Sequence, residues 1–565
     1  MKVVLVAINA SYIHTSLAMY SLAANSIPVD VSCELKEYHI NMDVEQILED
    51  LCSANGDVYL FSVYIWNSEF MRKIISRLKK IKKIVTVGGG SEIGYTPQEA
   101  LTIYRGLDYI LSGEGEILVK NFLTFLKEGK NPISLDNVFS KETNNKKVIN
   151  QPVDMASLKF PYTKEMLPML KNRIIYYESS RGCPFNCSYC ISQIDKRVRF
   201  RPLSAVFADL DFFMENQIPL VKFVDRTFNI NAERTKKILR YILDKNKKTT
   251  FHFEICAELL DDELIQLLCN APKGTFQLEA GIQSANPHTL NAVNRKTNLK
   301  VLAQKLRALT MSGNMHIHAD LIAGLPLESF IQFQESFNYA YEVHPHMLQL
   351  GFLKVLKGTN MQKMAEDYGV CYCDEPPYEV LSTNAITFNE LQLLKKVSYI
   401  VDKYYNSMKF NYTIHYMASL ASSPYCFFES LTQYVFKYIT TSQNVSLKRL
   451  YELLAKYSEK HFKKSEAVVQ TLLAYDYLIN QKFPLPNVLQ SKYVHIINKN
   501  QLFEWLKNEQ FVLKFMPEYK NCTPKERFKK VYSVQFSIHP DTLEKKDCIY
   551  LFKPDSEEKA ILIHF

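Results

Sequence analysis

Three cysteines stand close together in the stretch SSRGCPFNCSYCIS, which covers residues 179–192. Cys183, Cys187 and Cys190 have the spacing CxxxCxxC. Thiolates are soft ligands that favour zinc or iron–sulfur clusters. A structural zinc site closes with four ligands, whereas a catalytic metal keeps one position open. The spacing therefore predicts a metal centre that is held by three thiolates and has one position free for another ligand.

A remote fourth cysteine would instead make a closed structural site, and Cys256, Cys371 and Cys373 are the candidates for it. The chain has 12 cysteines at irregular spacing, which favours metal chemistry in a reducing compartment over a disulfide framework. The first apolar run is shorter than the core of a signal peptide, and no run approaches the ~18 apolar residues of a membrane span. We therefore expect a cytoplasmic protein without a membrane span.

The composition is that of a globular protein, with 47% hydrophobic and 22% charged residues. The net charge of +9 is spread over 565 residues. A nucleic-acid-binding surface would need basic residues clustered on one face, so we do not expect a nucleic-acid partner.

Residues 1–130 predict a doubly wound, Rossmann-like α/β domain. Short β-branched runs (KVVLVAI, DVYLFSVYI, KKIVTVGGG and LDYILSGEGE) alternate with helical patterns (EQILEDLCSA and FMRKIISRLKKI). Ligands of such folds bind at the carboxyl ends of the strands, where Gly88, Gly89, Gly113 and Glu114 fall. Glycines there allow a ligand to approach the backbone, although tight turns explain them equally well.

Residues 131–170 form a polar connector, and residues 171–360 predict a partial (β/α)6 barrel. The candidate strands are RIIYYESS, PLVKFVD, TFHFEIC, TFQLEAG, MHIHADLIAG and MLQLGFL. In such barrels the active groups sit at the carboxyl ends of the strands. The polar residues at or near these ends are Asp225, Glu254, Glu279, Gln283 and Asp320.

Residues 361–565 predict a mostly helical α+β domain. The helical patterns are ELQLLKKVSYIVDKYYNSM, LKRLYELLAKYSEKHF and EAVVQTLLAYDYLINQ. The runs VYSVQFSI, CIYLFKP and KAILIHF predict a small final sheet.

The segment RGCPFNCSYC, placed after a strand that opens a barrel, resembles the radical S-adenosylmethionine (radical SAM) enzymes. Their signature is CxxxCxxC with an aromatic residue before the last cysteine, here Tyr189. The resemblance implies that Cys183, Cys187 and Cys190 hold three irons of a 4Fe–4S cluster. The fourth iron would bind S-adenosylmethionine, which is cleaved to methionine and a 5′-deoxyadenosyl radical. The place of the missing fourth cysteine is then the cofactor site.

Two further barrel segments support this resemblance. Where the family often has GGE after the second strand, this chain has VDRT, and Asp225 would accept a hydrogen bond from the methionine ammonium group. EAGIQSANPHTLNAVNR (279–295) resembles the family's fourth-strand segment and contains Gln283. The resemblance makes Glu279 the first candidate for a ribose contact and Glu254 the second. Each carboxylate could instead be a surface or ion-paired residue.

HADLIAGLPLES (318–329) resembles the family's fifth-strand segment, which lines the adenine. Gly324 and Pro326 match that pattern, while Leu327 replaces its usual glycine. The resemblance therefore adds Gly324 to the cofactor-binding residues.

The stretch GGGSEIGYTPQEAL, followed by LDYILSGEGE, resembles the cobalamin-binding domain of cobalamin-dependent radical SAM enzymes. It departs from their GGPHxS pattern, because Gly90 replaces the proline and Glu92 the histidine. The resemblance implies that the glycine turns bind cobalamin. Residues 361–565 resemble a domain of unknown function that some members carry.

The motif DxHxxG, which supplies a histidine to cobalt, is absent after the first strand. Asn9 and Ser11 stand there and could hydrogen-bond a ligand, while His14 is expected to be an ordinary helix residue. Either cobalamin binds with its lower face free of histidine, or the domain has lost cobalamin. A free lower face suits methyl transfer.

These features predict an enzyme that methylates an unactivated carbon of a small-molecule substrate, or that cyclises or rearranges such a substrate. The reaction would need an external electron donor of the flavodoxin or ferredoxin type. One alternative is a tRNA-modifying methylthiotransferase. Such enzymes carry a second three-cysteine set in their N-terminal domain, where this chain has only Cys33 and Cys52. Another alternative is a non-catalytic iron–sulfur or cobalamin carrier or sensor.

Overall fold

The computed structural model describes residues 1–143, 146–441, 444–481, 485–556 and 558–563. They form two compact units. The first unit contains two α/β sheets, and the second is mainly helical. The first comprises residues 1–336, 343–345 and 350–391, and the second residues 337–342, 346–349 and 392–565.

The first sheet of the first unit has six strands in the order β2-β1-β3-β4-β5-β6. All pair in parallel except β6, which is antiparallel to β5. The strands are β1 (Lys2–Asn9), β2 (Ser32–His39), β3 (Val58–Ser62), β4 (Val85–Gly89), β5 (Tyr109–Leu111) and β6 (Val138–Phe139). The helices between them are α1 (Leu17–Asn25), α2 (Val44–Ser53), α3 (Ser68–Ile81), α4 (Ser91–Gly94), α5 (Pro97–Ile103) and α6 (Gly115–Lys127).

The strand order determines where this sheet can bind a ligand. The chain runs from β1 outward to β2 and then crosses to β3 on the other side of β1. Residues 3–8 of β1 are fully buried, because helices cover both faces of a parallel sheet. In doubly wound sheets, ligands bind outside the carboxyl ends of the strands that flank such a crossover. The ends of β1 and β3, next to the glycine turn after β4, therefore mark the binding edge.

The second sheet of the first unit has the order β14-β13-β12-β11-β10-β7, so its strands follow the chain from one open edge to the other. This is a partial barrel. A short α7 (Leu167–Leu170) precedes it. Its strands are β7 (Ile175–Tyr177), β10 (Leu220–Phe223), β11 (Thr250–Ile255), β12 (Phe276–Gln283), β13 (His316–Ala323) and β14 (Met347–Phe352), with the two-residue strands β8 (Ser180–Arg181) and β9 (Arg199–Phe200) forming a separate pair. The helices are α8 (Leu203–Glu215), α9 (Ala232–Lys245), α10 (Asp262–Cys269), α11 (Pro287–Ala292), α12 (Leu299–Met311) and α13 (Phe330–Tyr341).

The central strands β12 and β13 alternate strictly between buried and half-buried residues. The buried residues are apolar and form one face of the sheet. The half-buried residues of the opposite face are mainly polar and include Glu279, His318 and Asp320. Period-two alternation thus turns a row of titratable side chains toward the interior of the barrel.

A short segment after the barrel completes the first unit. It consists of α14 (Asn360–Met364) and the antiparallel strands β15 (Cys371–Tyr372) and β16 (Val380–Ser382).

The second unit is mainly helical and ends in an antiparallel sheet of order β17-β18-β19-β20. A π-helical stretch (Val401–Asn406) continues its first helix. The helices are α15 (Phe388–Ile400), α16 (Asn411–Ser419), α17 (Pro424–Val435), α18 (Leu447–His461), α19 (Glu466–Asn480), α20 (Lys499–Lys507), α21 (Glu509–Phe515) and α22 (Pro524–Lys530). The strands are β17 (Val494–Ile496), β18 (Tyr532–Phe536), β19 (Cys548–Phe552) and β20 (Ala560–Ile563).

The predicted fold class is confirmed: a doubly wound domain, a partial six-stranded barrel and a mostly helical C-terminal region. The predicted final strand KAILIHF corresponds to β20, and its last residues, 564 and 565, lie outside the described residues. None of the helices in the described ranges has both the length and the apolar character to span a bilayer.

Candidate functional site

The three cysteines lie on a loop, residues 182–198, that is closed at its base by β8 and β9. Ser180 pairs with Phe200 and Arg181 with Arg199 across this antiparallel base. Within the loop, the Cys183 amide donates to the Asp195 carbonyl at 3.0 Å. The short ladder therefore brings both ends of the cysteine loop together next to the carboxyl end of β7.

The three thiols are largely shielded from solvent. Cys183 and Cys187 are buried and Cys190 is half-buried. Burial raises the pKa of the Cys183 thiol, and the neighbouring Cys190 and Cys187 raise it further. The Cys183 sulfur also lies 3.8 Å from the Thr227 hydroxyl. The three thiols thus share one site at the top of the barrel.

Three thiolates on one loop are a donor set that zinc or an iron–sulfur cluster can use. Across the described ranges, no group of three or more His, Cys, Asp or Glu side chains is arranged around a single ion position. One zinc ion would need its thiolates about 2.3 Å away. The irons of a cluster are each bound by a separate thiolate, so the three sulfurs can stand farther apart.

Three of the buried polar atoms that have no hydrogen-bond partner among the described residues belong to neighbouring residues of the barrel. They are Gln283 Oε1, Arg295 Nε and Asp320 Oδ1. Gln283 ends β12 with a φ of 71°, and the charge of Arg295 is close enough to interact with Cys187 and Tyr189. Native proteins rarely leave buried polar atoms unpaired. Unpaired atoms gathered in one part of the barrel are therefore the expected partners of a polar ligand.

Tyr189, the aromatic residue of the cysteine motif, lies beside the cluster ligands and Arg295. Burial raises the pKa of its hydroxyl, with Arg295 opposing this shift and Cys187 adding to it. The residue is half-buried at the edge of the loop. Its position allows contact with a ligand at the open side of the cysteines.

Glu279 is already paired inside the barrel. Its Oε2 accepts from Lys222 at 3.0 Å and from His252 at 3.0 Å. Burial alone would raise the pKa of Glu279, but the hydrogen bond from His252 and the charge of Lys222 lower it to about 2. If Glu279 contacts a ribose, it must accept that hydrogen bond in addition to those from Lys222 and His252. On the neighbouring strand, burial and the Glu279 charge raise the pKa of Glu254.

Asp320 is the most strongly perturbed carboxyl group of this face. Burial, followed by the charges of Glu279 and Glu254, raises its pKa to about 8. An unfolded chain would give Asp320 a pKa of about 3.9. Without a ligand, the native state therefore keeps a proton that the unfolded state releases between these two values.

This difference predicts a pH-dependent stability for the ligand-free protein. The contribution of Asp320 to the free energy of unfolding is largest below about pH 4. It falls by up to about 1.4 kcal/mol per pH unit as the pH rises toward 8. Asp320→Asn should remove that slope. Urea midpoints of both proteins between pH 5 and 8 check this, with Asp244→Asn, an aspartate on α9, as control. Equal slopes in wild type and Asp320→Asn would contradict the shifted pKa.

Asp225 lies fully buried under the base of the cysteine loop. It accepts from the Ser179 amide at 2.7 Å and from the Ser180 hydroxyl at 2.8 Å, and the Ser179 hydroxyl also donates to it. Burial raises its pKa to about 6, and these hydrogen bonds oppose the shift. In this arrangement Asp225 orders the residues that lead into the loop, and it would have to exchange one of these bonds to accept from an ammonium group.

Gly324 follows β13 with a φ of 83°, a conformation that favours glycine. A Cβ atom there would also lie 2.7 Å from Val380 Cγ1. The glycine is thus required by the packing of β16, and the turn it makes brings the strand end close to the barrel opening.

A cavity of about 670 Å³ opens at the carboxyl ends of both sheets of the first unit. The first sheet contributes the turns after β1, β3, β4 and β5, and the barrel contributes the ends of β7 and β10. This volume is in the range of cofactor sites. The lining residues from the first sheet include Asn9, Tyr64, Trp66, Gly88, Gly89, Gly90, Gly113, Glu114 and Gly115, and those from the barrel include Tyr176, Tyr177, Glu178, Arg181, Val224 and Arg226.

The glycines of this cavity have different roles. A Cβ atom on Gly88 would collide with Ile93 and Leu107, so this glycine serves the core. Gly113 has a φ of 99°, which L-residues rarely adopt. A Cβ atom on Gly89 would meet only the Leu111 carbonyl, at an ordinary 3.6 Å. Gly89 is thus a position without backbone strain where the main chain borders open space.

The turn after β1 joins the two sheets. Asn9 lines the cavity and donates to the His14 carbonyl and to Glu37, both at 3.0 Å. His14 lies in this turn and not in the helix that the sequence predicted, because α1 begins only at Leu17. Its Nδ1 hydrogen-bonds the Tyr176 hydroxyl at 2.7 Å. Ser11 is in the same turn but is not among the residues that line the cavity.

Glu114 lines the cavity but is occupied by arginines of the barrel. Its carboxylate lies 3.1 Å from Arg181 Nη1 and 3.0 Å from Arg199 Nη1. The Val153 amide donates to it at 2.6 Å. Burial alone would raise the pKa of Glu114, but the hydrogen bond from Arg199 and the charge of Arg181 lower it. The carboxylate is therefore ionised and held before any ligand enters.

Several residues of this site were not identified from the sequence. Lys222, His252 and His318 occupy the polar face of the barrel, and Arg226 stands exposed at the cavity mouth near Tyr64. The stretch DKRVRFR (195–201), in which arginines alternate with apolar residues shortly after Cys190, was the available signal for Arg199. Their partners come from other parts of the chain, so spacing alone could not pair them.

Three family models match successive parts of the chain. Residues 3–123 match the B12 binding domain, residues 177–340 the radical SAM superfamily, and residues 366–552 a protein of unknown function, DUF4080. The chain therefore combines the three domain types that the resemblance predicted.

Curated relatives match part of the chain at low identity. An uncharacterized methyltransferase of Pyrococcus horikoshii is 24% identical over 50% of this chain and 63% of its own length. The cobalamin-dependent radical SAM methyltransferase TokK of Streptomyces tokunonensis is 22% identical over 56% of this chain and 49% of its own length. The chain thus spans 63% of the first relative and about half of the second.

A solved structure with the same fold is the radical S-adenosylmethionine methyltransferase TsrM from Kitasatospora setae, with cobalamin and a [4Fe-4S] cluster bound. It superposes with a TM-score of 0.55 at 15% identity and covers 67% of this chain and 78% of its own. This likeness supports the fold of the two α/β domains.

Proposed function

We propose that this chain is a cobalamin-dependent radical SAM enzyme that methylates an unactivated carbon of a small-molecule substrate. A cyclisation or rearrangement of such a substrate would use the same site. The proposal needs an external electron donor of the flavodoxin or ferredoxin type.

One observation carries this proposal: a single cavity is lined by the ligand-binding edges of both sheets. The glycine turns after β4 and β5 border it on one side, and Glu178 and Arg181, at the base of the cysteine loop, border it on the other. A reaction between two cofactors requires the reacting atoms to approach within about 3–3.5 Å. Two binding edges that open into one cavity allow such an approach.

The residues present suit the three cofactors. Cys183, Cys187 and Cys190 would hold the 4Fe–4S cluster, and the unpaired atoms of Gln283, Arg295 and Asp320 would meet S-adenosylmethionine. The glycine turns containing Gly88, Gly89 and Gly113 would border cobalamin. When bound, the cluster supplies the electron that cleaves S-adenosylmethionine, and cobalamin carries a methyl group.

The residues of the barrel face set the protonation states of the two carboxyl groups Glu279 and Asp320. Lys222 and His252 keep Glu279 ionised, while Asp320 holds a proton near neutral pH. The barrel face therefore offers both a fixed carboxylate and a hydrogen-bond donor to a ligand. Groups with separated pKa values in one site are typical of functional sites.

The two alternatives make different predictions. A methylthiotransferase would need a second cysteine set in the first sheet, but Cys33 lies exposed on β2 and Cys52 is half-buried on α2. A carrier or sensor would bind the same cofactors without cleaving S-adenosylmethionine.

Reductive cleavage distinguishes an enzyme from a carrier. Anaerobically reconstituted protein should convert S-adenosylmethionine to 5′-deoxyadenosine and methionine when dithionite is added, because an open, low-potential iron would stand next to the sulfonium. Chromatography with mass detection quantifies both products. Protein without reconstituted iron is the control and should form neither product. If fully reconstituted protein forms no 5′-deoxyadenosine, the carrier or sensor alternative is favoured.

A further inference from the structure

Two acidic residues of the first sheet and two arginines of the barrel form one ion-pair group, which we call the neck clamp: Glu114, Glu116, Arg181 and Arg199. Arg181 contacts Glu114 at 3.1 Å and Glu116 at 2.9 Å. Arg199 contacts Glu114 through both of its terminal nitrogens. Both glutamates belong to the GEGE stretch that follows β5 and borders the cavity.

The two arginines lie at the base of the cysteine loop. Arg181 and Arg199 are direct cross-strand partners on β8 and β9, and these strands close the base of the cysteine loop. Gly182 follows Arg181 with a φ of 96°, and a Cβ atom there would lie 2.2 Å from the Arg197 carbonyl. The two sides of the loop thus touch directly above the neck clamp. Holding the arginines fixes both ends of the segment that carries Cys183, Cys187 and Cys190.

The contacts of the neck clamp are sheltered from solvent. The side chains of Arg181 and Arg199 are 19% and 17% exposed, and that of Glu116 is 7% exposed. Further carboxylates complete the group, because Glu178 binds Arg181 and Asp195 binds Arg199, both at 2.7 Å. Without Glu114 and Glu116, each arginine keeps only a carboxylate of its own segment, so the ion pairs to the first sheet are lost. Losing sheltered pairs of this kind costs more than losing an exposed pair.

A second ion pair in the same unit provides a comparison. Glu37 at the end of β2 binds Arg173 at 2.8 Å, and both side chains are 10% exposed. Arg173 stands just before β7 and not at the base of the cysteine loop. This pair joins the same two sheets, so general docking between them depends on it as well. Of these two ion-pair groups, the neck clamp is the one that reaches the base of the cysteine loop.

We propose that Glu114 and Glu116 are positioning residues that fix the cysteine loop, and with it the iron–sulfur cluster, relative to the glycine turn of the cavity. The cluster part of this proposal depends on the proposed function, whereas the ordering of the loop does not. The GEGE stretch then serves the cavity twice: Gly113 and Gly115 shape its wall, and the two glutamates set the distance from that wall to the cluster.

Hydrogen exchange of the cofactor-free protein tests the ordering of the loop. Glu114→Gln with Glu116→Gln should increase exchange of amides in residues 182–198 by at least tenfold, while the amides of β1 and β4 keep their wild-type protection. Glu37→Gln is the matched control and should leave residues 182–198 unchanged. The single Glu116→Gln variant, expected to show a smaller increase, replaces the double variant if the latter does not fold. Wild-type exchange in the double variant, or equal loosening by Glu37→Gln, would overturn the proposal.

An EPR-monitored reductive titration tests the positioning of the cluster. Loss of two nearby negative charges should shift the cluster midpoint potential to more positive values, because the reduced cluster carries one more negative charge. Glu114→Asp with Glu116→Asp, which restores the charges, should return the potential toward that of wild type. A double Gln variant with a wild-type potential would overturn this part. If wild type assembles no cluster, the proposed function fails, and the exchange experiment alone decides whether the neck clamp orders the loop.

Discussion

Replacement of Cys183, Cys187 and Cys190 by alanine is expected to abolish the iron–sulfur cluster and, with it, all cleavage of S-adenosylmethionine. The three residues are the cysteines of the loop 182–198, and the proposed function assigns the cluster to their thiolates. The protein should still fold, because the base of the loop is held by β8, β9 and the neck clamp. Iron and sulfide analysis with Mössbauer spectroscopy measures the loss.

The matched control is a second triple replacement, Cys33→Ala, Cys371→Ala and Cys426→Ala, which removes three exposed thiols. It should retain the full cluster, and it also tests Cys371 as a remote fourth ligand. Cys256→Ala tests the half-buried candidate at the end of β11 in the same way. A cluster that survives the first triple replacement would refute the ligand assignment, and a cluster lost in Cys256→Ala would indicate a closed four-cysteine site.

Gly89→Phe is expected to reduce cobalamin binding below detection while the cluster spectrum stays unchanged. Gly89 borders the cavity and has open space at its Cβ position, so a phenyl ring would occupy the cavity without displacing the core. Gly88 and Gly113 are less informative positions, because substitution there would disturb packing or strain the backbone. Spectrophotometric titration with hydroxocobalamin measures the binding.

Ile103→Phe places the same side chain at an exposed position on α5 of the same sheet domain. This control should bind cobalamin as the wild type does. If wild type, Gly89→Phe and Ile103→Phe all bind hydroxocobalamin equally, the cavity is not its site. If none of them binds, the first sheet domain serves a substrate or partner instead.

The sequence predicted the strands that are buried on both faces, because long apolar runs such as KVVLVAI leave few other structures possible. It did not predict β2, whose residues SCELKEYH are mostly polar and only half-buried at the edge of the sheet. It also did not identify β17, which has only three residues, of which His495 and Ile496 are exposed. Short or polar edge strands carry little hydrophobic periodicity.

The same limit applies to the site. The cysteine spacing is local, so the loop and its chemistry could be predicted from one short stretch. The roles of Glu114 and Glu279 could not, because their partners Arg199 and Lys222 are 85 and 57 residues away along the chain. Both carboxylates were expected at a cofactor, and both are ion-paired within the protein. Pairing of this kind depends on which strand ends the fold brings together.

The cofactor content of the protein after anaerobic purification tests the central claim most directly. Iron, acid-labile sulfide and corrinoid are to be quantified in the same sample of wild-type protein supplied with hydroxocobalamin. The proposed function predicts iron and sulfide in equal amounts, sufficient for one 4Fe–4S cluster per chain, together with one corrinoid. Zinc in place of iron, or a complete cluster without any corrinoid, would contradict it.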